Sequence, residues 1–160
     1  EFEVPEAPEA FAEIFSGGFD LDGTSIRFVP VGGADYYAPC AESISALPFD
    51  PAGGTSVSLG DDDFQSVSLP FAFDLYGSSY GSVFIGSNGY LTFASGDDTY
   101  TETTSDHFNQ PRISMLFDDL NPSAGGSISF RHSDLMLHTR PNPTHKLERA
   151  PCLVRGYELV

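Results

Sequence analysis

The sequence predicts an all-β fold, an antiparallel β-sandwich formed as a single domain. Fourteen Phe, seven Tyr and sixteen Gly among 160 residues suit short strands joined by turns. Apolar and polar residues also alternate in short runs, and turn residues interrupt these runs roughly every ten positions. A chain of this length is able to close one β-sandwich around a core.

Each predicted strand corresponds to one alternating run. Between two of them stands Ser87-Asn88-Gly89, and because Asn-Gly readily adopts the positive φ angles of a tight turn, residues 81–94 are predicted to form a β-hairpin. Adjacent residues such as Phe84 and Ile85 point to opposite faces of a strand, so the predicted core is an upper bound. The runs are 25–31, 55–59, 65–73, 81–86, 90–94, 112–117 and 127–130. The predicted core comprises Phe28, Leu59, Leu69, Phe71, Phe73, Val83, Phe84, Ile85, Leu91, Phe93, Ile113, Leu116, Phe117 and Ile128.

The composition changes along the chain. Residues 1–10 alternate acids, Pro and small residues, which is typical of a linker, and the sandwich is expected over residues 11–130. Residues 11–15 fit either a helical turn or a first strand. Five of the seven basic residues follow position 130, where the aromatic alternation stops. We therefore expect residues 131–160 to be an irregular basic tail, either a disordered segment or a non-native stretch.

Charge excludes two classes of partner. The formal net charge is −16, so nucleic acids and anionic membranes are repelled. No apolar run approaches the ~20 residues that a membrane-spanning helix needs, so neither nucleic-acid binding nor membrane insertion is expected. The only cysteines, Cys40 and Cys152, either pair across a very long loop or stay unpaired.

Three motifs occur in a recognisable order. They are Phe-Ala-Phe-Asp-Leu-Tyr-Gly from Phe71, Ser-Asn-Gly from Ser87, and Phe-Asp-Asp-Leu-Asn-Pro from Phe117. Over residues 60–130 the chain resembles nidogen-like extracellular domains, which also occur as modules of secreted bacterial proteins beside proteases or surface anchors. The resemblance implies a secreted or cell-surface adhesion, matrix or structural module without a catalytic centre, whose partner is a protein or polysaccharide of the extracellular matrix or cell surface. Where the family pattern continues with further strands, this chain has its basic tail.

Clustered aspartates are the candidate metal ligands, and Ca²⁺ is the ion that carboxylate oxygens favour. Asp20 and Asp22 have the Asp-x-Asp spacing that opens a calcium loop, but the later acidic ligands of an EF-hand are missing. The other candidates are two runs, Asp61, Asp62 and Asp63, and Asp118 and Asp119. Each group is alternatively a solvated or hydrogen-bonded turn. For Asp97 and Asp98 the same choice lies between a calcium ligand and an exposed loop acid.

No sequence motif predicts catalysis. Asp106, His107 and a nearby serine, Ser105 or Ser114, can be drawn as a triad, but the sequence has no nucleophile elbow, zinc-protease helix or phosphate loop. The remaining three histidines and Cys152 match no zinc-ligand spacing. The chain is therefore not expected to be an enzyme.

A set of tyrosines raises an alternative function, a carbohydrate-binding or accessory module of a secreted hydrolase. Such a module needs a strip of aromatic side chains on which sugar rings can stack. On alternating strands most large aromatic residues instead belong to the core, so the two alternatives stay open. The candidates are Tyr36, Tyr37, Tyr76, Tyr80 and Tyr100.

Overall fold

The computed structural model describes residues 22–30, 37–46 and 53–132. The chain divides into two compact units, one formed by Glu1–Phe49 with Leu137–Val160 and the other by Asp50–Met136. The predicted linker at 1–10, the segment 11–15 and the tail from residue 133 lie outside the described residues. The boundaries of the predicted sandwich domain therefore stay a prediction.

The described part of the first unit is one antiparallel hairpin. Strand β1 (Thr24–Pro30) pairs with β2 (Tyr37–Ser43). The hairpin continues beyond its strands, because Ile44 N donates to Gly23 O at 2.7 Å. Strand β2 carries Cys40, which is not a free thiol, and Cys152 lies outside the described residues. The sequence pattern predicted β1 and missed β2, whose residues are mostly small or polar and do not alternate.

The second unit contains a four-stranded and a two-stranded antiparallel sheet. In the larger sheet the strand order is β4 (Phe64–Leu75), β5 (Ser78–Gly86), β6 (Tyr90–Thr92) and β7 (Arg112–Ser114). The smaller sheet pairs β3 (Thr55–Val57) with β8 (Ile128–Phe130). Between β6 and β7 lies one helical turn, α1 (Thr104–His107), and a 3₁₀ turn at Pro122–Ala124 precedes β8.

A long hairpin dominates the larger sheet. Strand β4 pairs with β5 over most of its length, with a register shift between Ser68 and Phe73 where β4 bulges. Tyr76 and Gly77 form its two-residue turn with φ angles of 46° and 79°. Positive φ at both positions gives the twist that matches antiparallel strands.

Alternation along β4 and β5 creates the core. Val67 faces Val83 across the ladder, and both are buried, while the serines beside them are not. At the far end of the hairpin Phe73 stacks on Phe93 with ring centroids 5.0 Å apart. Burying one such side chain contributes about 1.5–3 kcal/mol. The buried apolar residues are Val57, Leu59, Val67, Phe73, Leu75, Val83, Ile85, Tyr90 and Phe93.

The core prediction was correct at five positions: Leu59, Phe73, Val83, Ile85 and Phe93 are buried. It was wrong at three, because Phe28, Phe71 and Leu116 are exposed. Phe71 lies in the bulge of β4, where the alternation of faces is interrupted. Leu116 lies two residues beyond the end of β7, which is shorter than predicted. Phe84 is only half-buried beside buried Ile85, as opposite faces require. The other predicted members are half-buried: Leu69, Leu91, Ile113, Phe117 and Ile128.

The prediction of an all-β fold with antiparallel pairing is confirmed. The hairpin predicted over 81–94 is also present, since β5 pairs with β6 around the Ser87–Gly89 turn. Within the described ranges, no helix has the length and apolar character needed to cross a membrane.

The Gly89 turn gives a direct test of this packing. Gly89 has φ of 77°, and a Cβ there would lie 1.8 Å from Leu116 O. We expect Gly89→Ala to lower the free energy of unfolding by about 3 kcal/mol or more. The alanine would adopt a strained positive φ, and the backbone at Leu116 would also have to move away from the new methyl group.

Gly126→Ala is the matched control, because Gly126 has φ of 90° with nothing within 4 Å. Gly126→Ala should lower the free energy of unfolding by about 1–2 kcal/mol, the effect of the positive φ angle alone. Urea unfolding of both variants measures the difference. Equal losses would contradict the close approach of Leu116 to the turn.

Candidate functional site

The Ser87–Gly89 turn carries a buried polar side chain that joins three segments. Asn88 is 0% exposed. Its Nδ2 donates to Asp62 Oδ1 at 3.0 Å and to Thr99 O at 3.2 Å, while its Oδ1 accepts from Leu120 N at 2.9 Å. One amide thus connects the loop before β4, the segment after β6 and the segment after β7. Because it is fully buried, each of these bonds would be costly to lose.

The loop at 61–63 is fixed to the same turn by a second set of bonds. Asp63 N donates to Ser87 Oγ at 3.0 Å, and Ser87 N donates to Asp63 O at 2.9 Å. The carboxylate of Asp63 accepts from Gly60 N and Phe64 N, so it stabilises the loop itself. Asp62 adopts φ of 46°, a conformation that Asp tolerates better than most residues.

Three carboxylates converge at this end of the sheet. Asp61, Asp62 and Asp119 each offer an oxygen, and the three oxygens lie within 4.8 Å of one another. Asp62 is half-buried, while Asp61 and Asp119 are exposed. Oxygen donors alone, on an accessible surface, suit a hard cation such as Ca²⁺ better than zinc or copper. We call Asp61, Asp62 and Asp119 the carboxylate cluster.

The charges in and around the cluster repel one another. Partial desolvation and then the neighbouring carboxylates, first Asp62 and Asp61, raise the pKa of Asp119 above its ordinary value. Glu102 lies beside them and accepts from Asp119 N at 3.1 Å. Hydrogen bonds from its own amide, from Asp119 N and with Asp118 lower the pKa of Glu102. A bound cation would relieve this repulsion.

The other candidate ligands lie elsewhere. Asp22 is exposed in the turn before β1, in the first unit, and Asp20 lies outside the described residues. Asp63 binds amides of its own loop, and Asp118 accepts from Asp119 N at 3.0 Å beside the cluster. Metal binding by any of these aspartates stays a prediction.

A second polar group is buried a short distance along the chain. Asp97 and Arg112 form an ion pair of 2.7 Å, and the Arg112 side chain is completely buried. The Asp97 carboxylate also accepts from Gln110 Nε2 at 2.7 Å, from Thr99 N at 2.8 Å and from Tyr90 Oη at 3.2 Å. The sequence left Asp97 as either an exposed loop acid or a calcium ligand. The first alternative was wrong, because Asp97 is buried, and calcium binding by Asp97 stays a prediction.

Arg112 lies against aromatic rings. Its guanidinium carbon is 4.2 Å from the ring centre of Tyr90 and 5.0 Å from that of Phe117. Its Nε and Nη1 have no hydrogen-bond partner among the described residues, so the rings and Asp97 stabilise its charge. Burial alone would raise the pKa of Asp97, but hydrogen bonds from Thr99 and Gln110 and the charge of Arg112 lower it overall.

The residues that resemble a triad are arranged differently from one. His107 Nδ1 lies 3.1 Å from Ser114 Oγ, whereas the Asp106 carboxylate accepts from Thr103. A triad needs the acid on the opposite ring nitrogen from the serine. The other zinc candidates, His138, His145 and Cys152, lie outside the described residues, and His132 makes edge contacts with Phe71 and Phe130.

The candidate sugar-binding tyrosines differ in exposure. Tyr76 and Tyr100 are exposed, whereas Tyr80 is half-buried and packs 5.4 Å from the ring of Phe93. Tyr36 lies outside the described residues, and Tyr37 begins β2 in the first unit. Tyr80 therefore contributes to the core of the sheet.

The buried ion pair predicts non-additive mutational losses. Arg112→Met should lower the free energy of unfolding by about 3–5 kcal/mol, because Asp97 keeps a buried charge without its partner. The double variant with Asp97→Asn should lose less than the two single losses combined. Urea unfolding of all three variants measures the coupling. Additive losses would show that the two side chains stabilise the fold independently.

His107 predicts a pH dependence near neutrality. Burial and then the charge of Arg112 lower its pKa from the ordinary 6.5. The unfolded chain therefore binds the proton more readily, so the stability is complete above pH 6.5 and decreases as the pH falls below it. Histidine titrates between about pH 7.5 and 5. Urea unfolding over this range should show the decrease in the parent chain and a smaller decrease in His107→Gln. If the free energy of unfolding of the two chains depended on pH in the same way, His107 would not be the source of the decrease. The lowered pKa of Asp97 affects stability only at more acidic pH.

Comparison with known protein families finds a match to this chain. A family model described as NIDO related matches residues 40–133, and so extends the region of resemblance, 60–130, towards the N-terminus. No match was found among curated proteins or among solved structures. Nidogen-related domains are non-enzymatic modules and are typically extracellular. Since the match covers more than half of the chain, the chain belongs to the nidogen-related family.

Proposed function

We propose that this chain is a non-catalytic adhesion, matrix or structural module of a secreted or cell-surface protein, and that Ca²⁺ stabilises it. The observation that carries the proposal is the convergence of the three oxygens of the carboxylate cluster within 4.8 Å. Family membership supports the extracellular, non-enzymatic part. The calcium part fits that location, because the weak calcium sites of extracellular modules are filled at millimolar calcium.

Calcium would connect parts of the chain that are distant in sequence. Asp61 and Asp62 precede β4, whereas Asp119 follows β7, and these strands form the two edges of the larger sheet. Asn88 already positions Asp62 and Leu120 from the middle of that sheet. A cation would add a second link between the same loops, and the remaining coordination positions would be filled by water or by an oxygen of the partner.

Two observations support a role without catalysis. The acid beside His107 binds Thr103, so the Asp106–His107–Ser114 group lacks the orienting bond of a triad. The buried carboxylate of Asp97 accepts hydrogen bonds from Arg112, Gln110 and Thr99. These bonds hold the carboxylate in a structural ion pair and do not suit it to accept a proton from a substrate. The proposed partner is therefore bound and released unchanged, and it is a protein or polysaccharide of the matrix or cell surface.

A carbohydrate-binding accessory module is the second candidate, favoured by the exposed rings of Tyr76 and Tyr100, at 42% and 53%. Pull-down with insoluble polysaccharides would distinguish the two candidates. Retention that is lost in Tyr100→Ala would favour the carbohydrate-binding module, since a stacked ring provides much of the contact with a sugar.

Thermal melting tests the calcium proposal. A ligand that binds only the folded state raises the melting temperature by mass action. Excess Ca²⁺ should raise the midpoint by several degrees, excess chelator should reverse the shift, and Mg²⁺ should have less effect because it needs a stricter octahedral geometry.

Asp119→Asn sharpens this test. Without calcium the variant should melt no lower than the parent chain, since it removes one of the repelling charges, yet its response to Ca²⁺ should be lost. Asp74→Asn is the matched control: Asp74 is an exposed carboxylate of β4 that binds Ser79, and this variant should respond like the parent. A calcium response that survives Asp119→Asn would place the ion elsewhere, and an unresponsive parent would refute calcium stabilisation.

A further inference from the structure

The Asn88–Gly89 bond has a chemical reactivity that the proposed function does not use. In a flexible chain, the main-chain nitrogen that follows an asparagine can attack the side-chain carbonyl carbon. Glycine offers the least steric resistance to this attack, because it has no side chain. Asn-Gly is therefore the dipeptide in which asparagine is most readily converted.

The fold opposes that attack at Asn88. The side chain is 0% exposed, and three hydrogen bonds, to Asp62, Thr99 and Leu120, hold both of its polar atoms. To bring its carbonyl carbon onto Gly89 N, the amide must rotate away from these partners. Gly89 cannot shift to meet it easily, because Leu116 O occupies the space where a Cβ would lie. Reaction thus requires the loops around the turn to open first.

We propose that Asn88–Gly89 is a latent deamidation site. The native fold prevents the reaction, and opening of the surrounding loops permits it. The Gly89 nitrogen forms a bond to the Asn88 side-chain carbon and loses its proton, and ammonia leaves to give a five-membered succinimide. Water then opens either C–N bond of the ring. The products are aspartate, with the main chain as before, or isoaspartate, with the main chain routed through the former side chain. No oxidant, metal or enzyme is required.

Either product prevents the loops from closing again. The amide nitrogen donates to a carboxylate oxygen and a carbonyl oxygen, Asp62 Oδ1 and Thr99 O. A carboxylate at this position would have no hydrogen to donate and would repel both. Isoaspartate adds a carbon to the main chain inside a turn whose spacing fits the β5–β6 ladder. A single opening that lasts long enough for the reaction therefore changes the turn irreversibly.

The test compares the whole chain in buffer with the same chain unfolded in urea, at one mildly alkaline pH and temperature. Peptide mapping by mass spectrometry quantifies aspartate plus isoaspartate at position 88 over time. If reaction proceeds only from the open form, the folded chain should react more than about tenfold more slowly. Equal rates in the folded and unfolded chain would overturn the proposal, as would an unfolded chain that fails to react at this position.

Internal and variant controls isolate the cause. Asn121 precedes Pro122, whose nitrogen carries no hydrogen, so position 121 should stay largely unreacted in both states. Asp62→Ala removes one of the three bonds and should speed the reaction of the folded chain, whereas Asp74→Ala should not. If Asp62→Ala matches Asp74→Ala while both remain folded, the hydrogen bonds do not provide the protection. If Asp62→Ala fails to fold, the comparison of the parent chain in buffer and urea still decides.

Discussion

The hydrogen bonds of one buried amide hold together the end of the second unit where the carboxylate cluster lies. Asn88 bonds to three segments that are far apart in sequence. A buried amide with its donor and acceptor atoms satisfied stabilises one arrangement of those segments and penalises alternatives, since every misplaced partner leaves a polar group unbonded in the interior. The position of the carboxylate cluster depends on this constraint, because Asp62 is one of the three partners.

The Asp97–Arg112 pair provides a second constraint on the same region. Arg112 begins β7, while Asp97 follows β6, so the pair connects the segment after β6 to the edge strand of the sheet. Thr99, which donates to Asp97, also accepts from Asn88 through its carbonyl. The two networks therefore share a residue. Such sharing means that a change in either network is expected to alter the other by more than its own contacts suggest.

Local patterns predicted much of the fold and little of the site. Alternation identified every described strand except β2, and Asn-Gly identified the turn between β5 and β6. Both signals act between near neighbours in sequence. The same rules failed at Phe71, where a bulge changes which residues face inward, and at β2, whose side chains do not alternate. The convergence of Asp61 and Asp62 with Asp119 depends on strand order, which residue spacing does not encode.

Burial of polar residues was the part least accessible from the sequence. In a chain with twenty-three acidic residues, Asp97 has no local feature that distinguishes it from an exposed loop acid. The available signal was Arg112, one of few basic residues and placed at the start of an apolar run, where an unpaired charge would be costly. A buried arginine requires a buried acid, although the sequence does not say which one.

The order of the larger sheet has a mechanical consequence. The start of β4, the end of β5, the start of β6 and the end of β7 all meet at one end of the sheet, where Asn88 lies. A pull that peels either edge strand away from that end must separate the loop contacts before it reaches the ladder. Resistance to a load applied at that end would then depend on the side-chain contacts of the Asn88 turn as well as on the hydrogen bonds between strands.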